Sequence, residues 1–356
     1  MKKGNTQHTI KDLAAELGLS ISTVSRALSD HPHISDATKA RVKEAAGKMN
    51  YRHNALAASL RNSKSRIIGL IVPRISMFFF SSVITAIQNT LYEQGYNLIV
   101  CQSNDSVTLE RELVNALYAS RVDGLIASVT LQTEDFSHFD VFSQGNIPLV
   151  FFDRVPRNYP THKIQGDDYQ GGYLATQHLF KQGCRKVALI GGPLSCNLYR
   201  DRYAGYQDAL RKFKVQADDE IVFFHELTRE NALATCEKLF SLAELPDAVF
   251  CCNDTTAITV LEYAKKKRIK VPEELKIVGY SNDNRTDIIE PSITSVEQFP
   301  AEVGEQVAKL MMDLIHQTLR TGRNFISLTT PVELVERDSS ATIKKTPVLS
   351  PIQDYT

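Results

Sequence analysis

Short polar side chains and one guanidinium share a helical face in the stretch TIKDLAAELGLSISTVSRAL, residues 9–28. Val24 and Leu28 fall on the opposite, apolar face of the same segment. The polar face presents Ile21, Ser22, Thr23, Ser25 and Arg26. Such groups suit a helix lying in the DNA major groove, where bulk is excluded and hydrogen bonds distinguish base pairs. The pattern predicts a helix-turn-helix.

Two further helices are needed to hold that face in place. In the preceding segment, apolar residues recur at steps of three and four, Thr9 and Ser20 are predicted caps, and Gly18 ends the first helix. A third helix is predicted to follow Ser35 and to end near Asn50. The apolar positions of these flanking helices are Ile10, Leu13, Ala14, Leu17, Ile34, Ala37, Val42, Ala45, Ala46 and Met49. An ordinary αα-hairpin has the same local pattern, and the third helix and the charge favour a DNA-binding head.

Charge is unevenly distributed along the chain. Residues 1–66 carry 12 Lys+Arg against 5 Asp+Glu, a net charge of +7. The whole chain has 41 of each sign, so the remainder has 29 against 36, a net charge of −7. A basic head on an acidic body is typical of a phosphate-binding module joined to a globular domain.

The bulk properties exclude several classes of protein. With 43% hydrophobic and 23% charged residues, the composition is that of a globular protein. No apolar run reaches the roughly 20 residues of a membrane span, and no apolar run follows the N-terminal lysines, so no export signal is predicted. We therefore expect a cytoplasmic, nucleoid-associated protein without a membrane partner. The six cysteines and nine histidines lack metal-ligand spacing, so reduced core thiols, no metal site and no cofactor are expected.

From residue 67 onward, apolar strand-like runs alternate with amphipathic helical segments. The runs IIGLIVP and IPLVFFD lie in a first α/β unit near 67–160, and KVALIGG and LKIVGYSND lie in a second near 165–290. Continuous apolar strands between helices predict parallel sheets covered on both faces. Two such units in tandem predict two similar lobes with a ligand cleft between them. A helix at 303–319 and strands near 326–335 close the domain, and the polar segment 339–356 is predicted to be disordered.

In this order the head, linker and body resemble the LacI/GalR family of bacterial transcription regulators. The motifs are T-I-x-D-L-A…G-L-S…T-V-S-R-A-L, the segment N-A-L-A-A-S-L, and VGY, TSVEQ and ERDS farther along. The resemblance covers residues 8–338. It implies an N-terminal all-α helix-turn-helix (LacI-type) head plus an α/β two-lobed periplasmic-binding-protein-like effector domain. The domain limits that follow are 1–50 for the head, 51–66 for a hinge helix and linker, 67–338 for the effector-binding and dimerisation domain, and 339–356 for the tail.

The resemblance also implies which residues contact DNA. A homodimer would read two half-sites of a double-stranded operator, with Ser20, Ile21, Ser22, Ser25 and Arg26 facing bases or phosphates. Thr9, Thr23 and Tyr51 would hold phosphates. The hinge segment 54–61 would enter the minor groove through Asn54, Ala57 and Leu60, with Leu60 wedging a base step. His53 and Ala58 depart from the family pattern, and a plain linker is the alternative for this segment.

For the body, the resemblance implies effector contacts at strand ends that face the cleft. Those residues are Phe79, Phe80, Asp153, Arg202, Leu227, Asn253, Asp254 and Asn282. Arg202 is the strongest candidate, because a guanidinium fork holds two oxygens at once. The alternative for Arg202 is a salt bridge within one lobe. Leu227 stands where the family often has an aromatic residue that contacts the ligand. Ser281 stands where the family often has an acidic one.

The leading hypothesis is a sequence-specific DNA-binding transcription regulator, in this family usually a repressor, controlled by a small-molecule effector such as a sugar or related metabolite. The alternative is a solute- or sugar-binding protein of a transport system, which would require an export signal and no basic head. An enzyme is not predicted, because the chain lacks G-x-G-x-x-G after a strand, a P-loop and G-x-S-x-G.

Overall fold

The computed structural model describes residues 8–49, 51, 64–317 and 324–341. The chain divides into two compact units, Met1–Ser65 and Arg66–Thr356. Asn50 and residues 52–63 of the predicted hinge and linker at 51–66 lie outside the described residues, so the limits of that segment stay a prediction.

The first unit contains three helices around a small apolar core. Thr9 caps α1 (Ile10–Leu17), and Gly18 ends it with a left-handed φ of 64° and an N–H that bonds to the carbonyls of Ala14 and Ala15. This confirms the predicted break between the first two helices. The core includes Leu13, Val24 and Val42, one from each helix. The helices are α1 (Ile10–Leu17), α2 (Ile21–Leu28) and α3 (Asp36–Lys48).

The second unit consists of two lobes, each built on a six-stranded sheet, as predicted. The elements of the first lobe are β1 (Ile67–Val72), α4 (Phe78–Glu93), β2 (Asn97–Gln102), α5 (Val107–Ala119), β3 (Gly124–Ala127), a 3₁₀ turn (Ser137–Phe139), α6 (Asp140–Gln144), β4 (Leu149–Phe152), β5 (His162–Gly166), α12 (Pro300–Ile315) and β11 (Ser327–Thr330). Its strands are parallel, in the order β11-β5-β4-β3-β1-β2, with apolar cores on both faces of the sheet.

The second lobe repeats this architecture. Its elements are α7 (Asp168–Lys181), β6 (Val187–Gly191), α8 (Asn197–Phe213), a 3₁₀ turn (Asp219–Ile221), β7 (Val222–Phe224), α9 (Arg229–Leu239), β8 (Ala248–Cys251), α10 (Asp254–Lys266), β9 (Lys276–Tyr280), α11 (Arg285–Ile288), β10 (Thr294–Glu297) and β12 (Glu333–Val335). The strand order is β12-β10-β9-β8-β6-β7, and only β12 runs antiparallel to its neighbour among the described strands.

The chain passes between the lobes three times, and this corrects the predicted limits of 67–160 and 165–290. β5 pairs with β4 and therefore completes the first lobe. After β10 the chain returns to the first lobe, where α12 packs its apolar residues into the same core as α4. β11 then pairs with β5 before β12 joins the second sheet. The predicted strand region near 326–335 is thus two strands in different lobes.

The disordered tail was predicted to begin at Ser339, and this start is too early. Ser339 and Ser340 are fully buried. Ser339 exchanges backbone and side-chain hydrogen bonds with Ile277 at 2.9 and 2.6 Å, and the Ser340 hydroxyl lies 2.7 Å from His178 Nε2. These bonds extend the second lobe to Ala341, beyond which the tail lies outside the described residues. No helix in the described part of the chain is long and apolar enough to cross a membrane.

Close packing between α7 and α8 matters for the site described below. A Cβ on Gly172 would lie 2.1 Å from the carbonyl oxygen of Arg202, and one on Gly205 would lie 2.1 Å from that of Tyr169. Two glycines therefore permit the helices to approach with backbone against backbone. This approach brings Asp168, the first residue of α7, against Arg202 on α8.

Candidate functional site

The exposed side of α2 carries most of the residues predicted to read DNA. Val24 and Ala27 are buried in the core of the head, so the opposite side of the helix meets solvent. There Ile21 is 40% exposed, and Ser22 and Arg26 are exposed as well. The helix thus offers a polar face with one guanidinium, on a rigid support.

Two of the predicted DNA contacts also cap helices. Ser20 Oγ accepts a hydrogen bond from the Thr23 N–H at 3.1 Å and lies 2.8 Å from the Ser22 hydroxyl. Asp12 Oδ2 accepts from the N–H and the hydroxyl of Thr9 at 2.7 and 2.8 Å. These bonds lower the pKa of the Asp12 carboxyl. They also fix the N-termini of α1 and α2, where helical N–H groups favour anions such as phosphate.

The structure describes some of the remaining predicted DNA contacts, and others lie outside the described residues. Thr23 and Ser25 are half-buried on α2. Tyr51 packs against the head core, and burial raises the pKa of its phenol. Asn54, Ala57 and Leu60, the predicted minor-groove residues, lie outside the described residues.

In the second unit, the two lobes are joined across a cleft by side chains. Asn197 at the start of α8 donates to the Asp153 carbonyl and accepts from the Val155 N–H, both at 3.0 Å. Arg74 of the first lobe bonds to Glu226 of the second at 2.7 Å. These contacts span the carboxyl ends of strands from both sheets, which is where open α/β folds bind ligands.

Two cavities open into this cleft. One of about 600 Å³ is lined by Thr130, Val155, Tyr159, Asn197 and Arg200 among others. The second, about 460 Å³, is lined by Phe79, Asn253, Asp254, Ser281 and other residues of both lobes. Both have the size of small-molecule sites. A larger groove of about 1000 Å³ lies away from the cleft, between α4 and α12.

Arg202 is buried within the second lobe, and most of its hydrogen-bonding capacity is used there. Its Nε and Nη2 lie 2.8 Å from Asp168 Oδ1, and Nη1 donates to the Cys252 carbonyl at 2.7 Å. The guanidinium carbon is 3.5 Å from the centre of the Tyr280 ring. Of five N–H donors, two remain. The salt bridge that sequence reasoning gave as the alternative is present, and any effector contact by Arg202 uses only the remaining donors.

Asp153, which directly follows β4, is a buried carboxylate with a weak hydrogen bond. It is 8% exposed, and its carboxylate accepts one long hydrogen bond, from Ser128 Oγ at 3.5 Å. Burial raises the pKa of Asp153 to about 6, with Arg154 opposing the shift and Asp168 adding to it. Its φ of 58° is in the left-handed region. Such backbone strain in a non-glycine residue is typical of functional positions.

Asn253 and Asp254 are held by bonds within the second lobe. Asn253 caps α10 by accepting from Thr256 at 2.8 Å and donates to the Leu227 carbonyl at 3.0 Å. Asp254 accepts from the Asp283 N–H at 2.8 Å and from the Ser295 hydroxyl at 2.7 Å. Burial raises the pKa of Asp254 to about 7. Both residues line the smaller cavity, so they shape its wall as well as supporting the strand ends.

Three other predicted effector contacts are placed differently. Phe80 is buried in the core of the first lobe, edge-on to Phe152 at 6.1 Å, whereas its neighbour Phe79 reaches the smaller cavity. Leu227 packs into the core of the second lobe. Asn282 donates to Glu297 at 2.7 Å. Phe80, Leu227 and Asn282, like Asp153 and Arg202, are not among the residues that line either cavity. Only some of the predicted effector-binding residues therefore lie around the two cavities.

Several cleft residues were missed from the sequence. Arg154 is buried and its Nη1 bonds to Asp105, which also faces Arg74 at 3.5 Å. Asn197 and Glu226 make the contacts between lobes. One signal was present: Arg154 lies two residues after the end of β4, where ligand-binding residues of α/β folds collect. The other partners come from distant chain positions, and their pairing leaves no local pattern.

Comparison with known proteins identifies both parts of the chain. Residues 9–54 match the family model for bacterial regulatory proteins of the lacI family, and residues 176–340 match that for a periplasmic binding protein-like domain. A relative named HTH-type transcriptional repressor PurR, from Vibrio atlanticus, is 31% identical over 335 residues, which cover 94% of this chain and 99% of the relative.

Solved structures agree with the fold. A transcriptional regulator CelR–cellobiose complex has a TM-score of 0.71 at 25% identity, covering 94% of this chain and all of that one. The lac repressor dimer bound to operator and the anti-inducer ONPF has a TM-score of 0.83 at 24% identity, covering 95% of this chain and all of that one. With this fold and this degree of identity to the Vibrio repressor over nearly the whole chain, the protein belongs to the lacI family of bacterial regulatory proteins.

Proposed function

We propose that this lacI-family protein is a transcriptional repressor that binds a near-palindromic operator as a homodimer and changes its operator affinity when a small molecule enters the cleft. The observation that carries the proposal is the exposed polar face of α2, supported by a buried three-helix core. Net basic charge in the same unit favours phosphate contacts. Relatives named as transcriptional repressors support the same activity.

On the DNA side, α2 is the proposed recognition helix. Ile21, Ser22, Ser25 and Arg26 would contact base edges, with Arg26 able to bond two guanine acceptors at once. The N-terminal ends of α1 and α2, with Thr9, Ser20 and Thr23, would hold phosphates, and Tyr51 would do so beside them. Asn54, Ala57 and Leu60 are proposed for the minor groove. The proposed limits of the head and of the hinge with its linker remain 1–50 and 51–66, and the effector domain runs from 67 to 341.

On the effector side, the cleft between the lobes is the proposed receptor. Phe79, Asn253 and Asp254 line one of its cavities, and Asp153 and Arg202 are buried beside the cleft without lining either cavity. The proposed mechanism is a coupling free energy, in which ligand favours one arrangement of the lobes and that arrangement alters operator affinity. A solved relative in complex with cellobiose supports a sugar or related metabolite as the class.

A solute-binding protein for transport shares the two-lobed fold. The match of residues 9–54 to the lacI-family model supports the regulator instead, because a transport receptor does not need a helix-turn-helix. The proposed site of action is the cytoplasm, where the operator is.

The test is selection of binding sites from a pool of random duplexes by the full-length protein at moderate salt. We expect enrichment of one near-palindromic sequence whose half-sites are about one helical turn apart, or a multiple of it, since a two-fold dimer presents two recognition helices. A selected pool with no common sequence would overturn the proposal.

A further inference from the structure

The larger of the two cleft cavities is lined by none of the residues proposed to bind the effector. Its volume is about 600 Å³, and its walls come from positions 129–159 of the first lobe and 195–200 of the second. Phe79, Asn253 and Asp254 line the smaller cavity instead, and no described residue lines both. The proposed function therefore leaves a cavity of small-molecule size without a ligand of its own.

The first-lobe wall of this larger cavity is held by a carboxylate that is itself fully buried. Glu110 of α5 accepts hydrogen bonds from the Thr130 N–H at 2.9 Å and from the Thr133 hydroxyl at 2.8 Å, and its Oε1 lies 3.0 Å from His138 Nε2. Burial of a carboxylate is costly unless it is well paired. Here the bonds tie residues 130–138 to α5. The wall is thus in place before a ligand arrives, which lowers the cost of binding.

The second lobe forms the other side of the same cavity. Ser195 Oγ donates to the Leu131 carbonyl at 3.3 Å, and Asn197 Oδ1 accepts from the Val155 N–H at 3.0 Å. All four residues line the cavity. A molecule bound there would therefore contact both lobes.

Three side chains on the wall keep their full hydrogen-bonding capacity. Glu134, Arg157 and Asn158 are exposed, and none of them has a hydrogen-bond or ion-pair partner among the described residues. Partners within the chain already occupy the other charged residues of the wall, which are Asp135, Asp140 and Arg200. Open groups of both charges and one amide are thus available to a ligand.

These open groups favour a ligand with hydroxyl groups and no net charge. A carboxylate only accepts hydrogen bonds, a guanidinium only donates them, and an amide does both, so hydroxyls can pair with all three. A charged ligand would be attracted by one of Glu134 and Arg157 and repelled by the other. The rings of Phe136 and Tyr159, with centroids 6.0 Å apart, add apolar surface to the same wall. Polar groups beside apolar rings suit a sugar, whose edges are polar and whose faces are apolar.

We propose that the larger cleft cavity is a second small-molecule site, separate from the effector cavity, and that it takes a neutral polyhydroxylated ligand such as a hexose. The inference goes beyond the proposed function, whose effector contacts all lie outside this cavity.

Thermal unfolding of the full-length protein with matched sugars tests the ligand class. D-Glucose and D-galactose are titrated at neutral pH, each beside its uronate and its 2-amino analogue, which carry one negative and one positive charge. We expect at least one neutral sugar to raise the melting temperature in a saturable manner, because a ligand that binds only the folded state stabilises it. Its two charged analogues should raise the melting temperature less at the same concentration.

Matched asparagine variants assign the effect to one cavity. Asn158→Ala removes the open amide from the larger cavity, and Asn284→Ala removes an exposed amide from the smaller one. Loss of one hydrogen bond weakens binding by about 5-fold, so the sugar concentration that gives half of the maximal shift should rise by that factor in Asn158→Ala. It should stay at the wild-type value in Asn284→Ala. Arg157→Ala should behave as Asn158→Ala does.

Several results would overturn the proposal. They are the absence of a saturable shift from both neutral sugars, a larger shift from a charged analogue, a weakened response in Asn284→Ala, and an unchanged response in both Asn158→Ala and Arg157→Ala. None of these measurements involves DNA. Duplex selection without a common sequence would therefore overturn the repressor function and leave the second site standing.

Discussion

On α2, Ser22 and Arg26 turn their polar groups to solvent, whereas in the cleft Arg154 and Arg202 are buried and bonded to carboxylates of the same chain. The exposed guanidinium of Arg26 is open to another molecule, although the Ser22 hydroxyl already lies 2.8 Å from Ser20 Oγ. Arg154 and Arg202 already have partners within the chain. Residues of α2 should therefore affect binding with little effect on folding, and the paired residues of the cleft should affect both.

Asp153 lies between these two cases. Asp153 is buried, as Arg202 is. Its side chain has no close partner, and in this it resembles Arg26. The contrast teaches that burial and pairing are separate properties of a charged side chain. Four substitutions test this comparison, and they follow in order of expected size.

The largest effect is expected from Arg202→Ala. It leaves Asp168 buried without its cation, a change that lowers the free energy of unfolding by about 3–5 kcal/mol. Denaturant unfolding of the second unit, followed by circular dichroism, measures the loss. Arg200→Ala is the matched control, because Arg200 is half-buried and bonds only to its neighbour Asp201. A loss no larger than that of the control would contradict the role of the pair.

Asp153→Asn should raise the free energy of unfolding, whereas Arg202→Ala lowers it. The pKa of Asp153 is raised to about 6 in the folded protein from 3.8, so the folded state binds the proton more tightly and stability falls as pH rises from about 4 to about 6. The variant lacks this loss and should be more stable above pH 7, by up to about 3 kcal/mol for a shift of about two units. Asparagine also tolerates the left-handed backbone.

Calorimetry of both proteins between pH 4 and pH 8 tests this expectation. The two melting temperatures should converge at low pH and separate as pH rises. Glu112→Gln, which removes an exposed carboxylate from α5 of the same lobe, should track the wild type throughout. A variant that is less stable than the wild type at pH 8 would show that Asp153 has a stabilising partner, and the comparison with Arg202 would fail.

Arg26→Ala should affect binding alone. Loss of a base contact weakens binding to the selected operator by about 1–3 kcal/mol, whereas an exposed substitution changes stability by about 0.5 kcal/mol or less. Fluorescence anisotropy compares the selected operator with a shuffled duplex at the same salt concentration. Equal weakening on both duplexes would mean that Arg26 contacts phosphates and reads no base.

The smallest effect is expected from Arg74→Ala. Its bond to Glu226 joins the lobes, but both side chains are about half exposed, and exposed pairs contribute about 0.2–1 kcal/mol. Double-mutant cycles with Glu226→Gln measure the pair by thermal unfolding. A coupling energy above this range would show that the lobes are held together mainly by this pair.

The head was predictable because its signals are local. The i, i+3, i+4 spacing, the caps at Thr9 and Ser20 and the left-handed Gly18 all act within one helical turn, and the structure has all of them. The two-lobed fold was predictable as well, because apolar strands and amphipathic helices alternate along the chain. The three crossings were missed, since strand order depends on pairing between distant segments such as β5 and β11.

The details of the cleft were less predictable for the same reason. Arg202 was identified as important, but its partner Asp168 is 34 residues away and its contact depends on the close approach at Gly172 and Gly205. Phe80 and Phe79 are neighbours in sequence, yet only Phe79 reaches a cavity. Helical geometry turns adjacent side chains about 100° apart, and packing alone determines which one is buried.

The central claim is that the arrangement of the lobes controls operator affinity. Asn197→Ala tests it most directly, because Asn197 joins the lobes by two hydrogen bonds and carries no charge. The dissociation constant for the selected operator is compared among the wild type, Asn197→Ala and the exposed control Asn97→Ala. The account predicts a change of about 5-fold or more for Asn197→Ala alone, as expected for allosteric coupling, with unchanged binding to shuffled DNA. An operator affinity identical in all three proteins, with Asn197→Ala correctly folded, would contradict it.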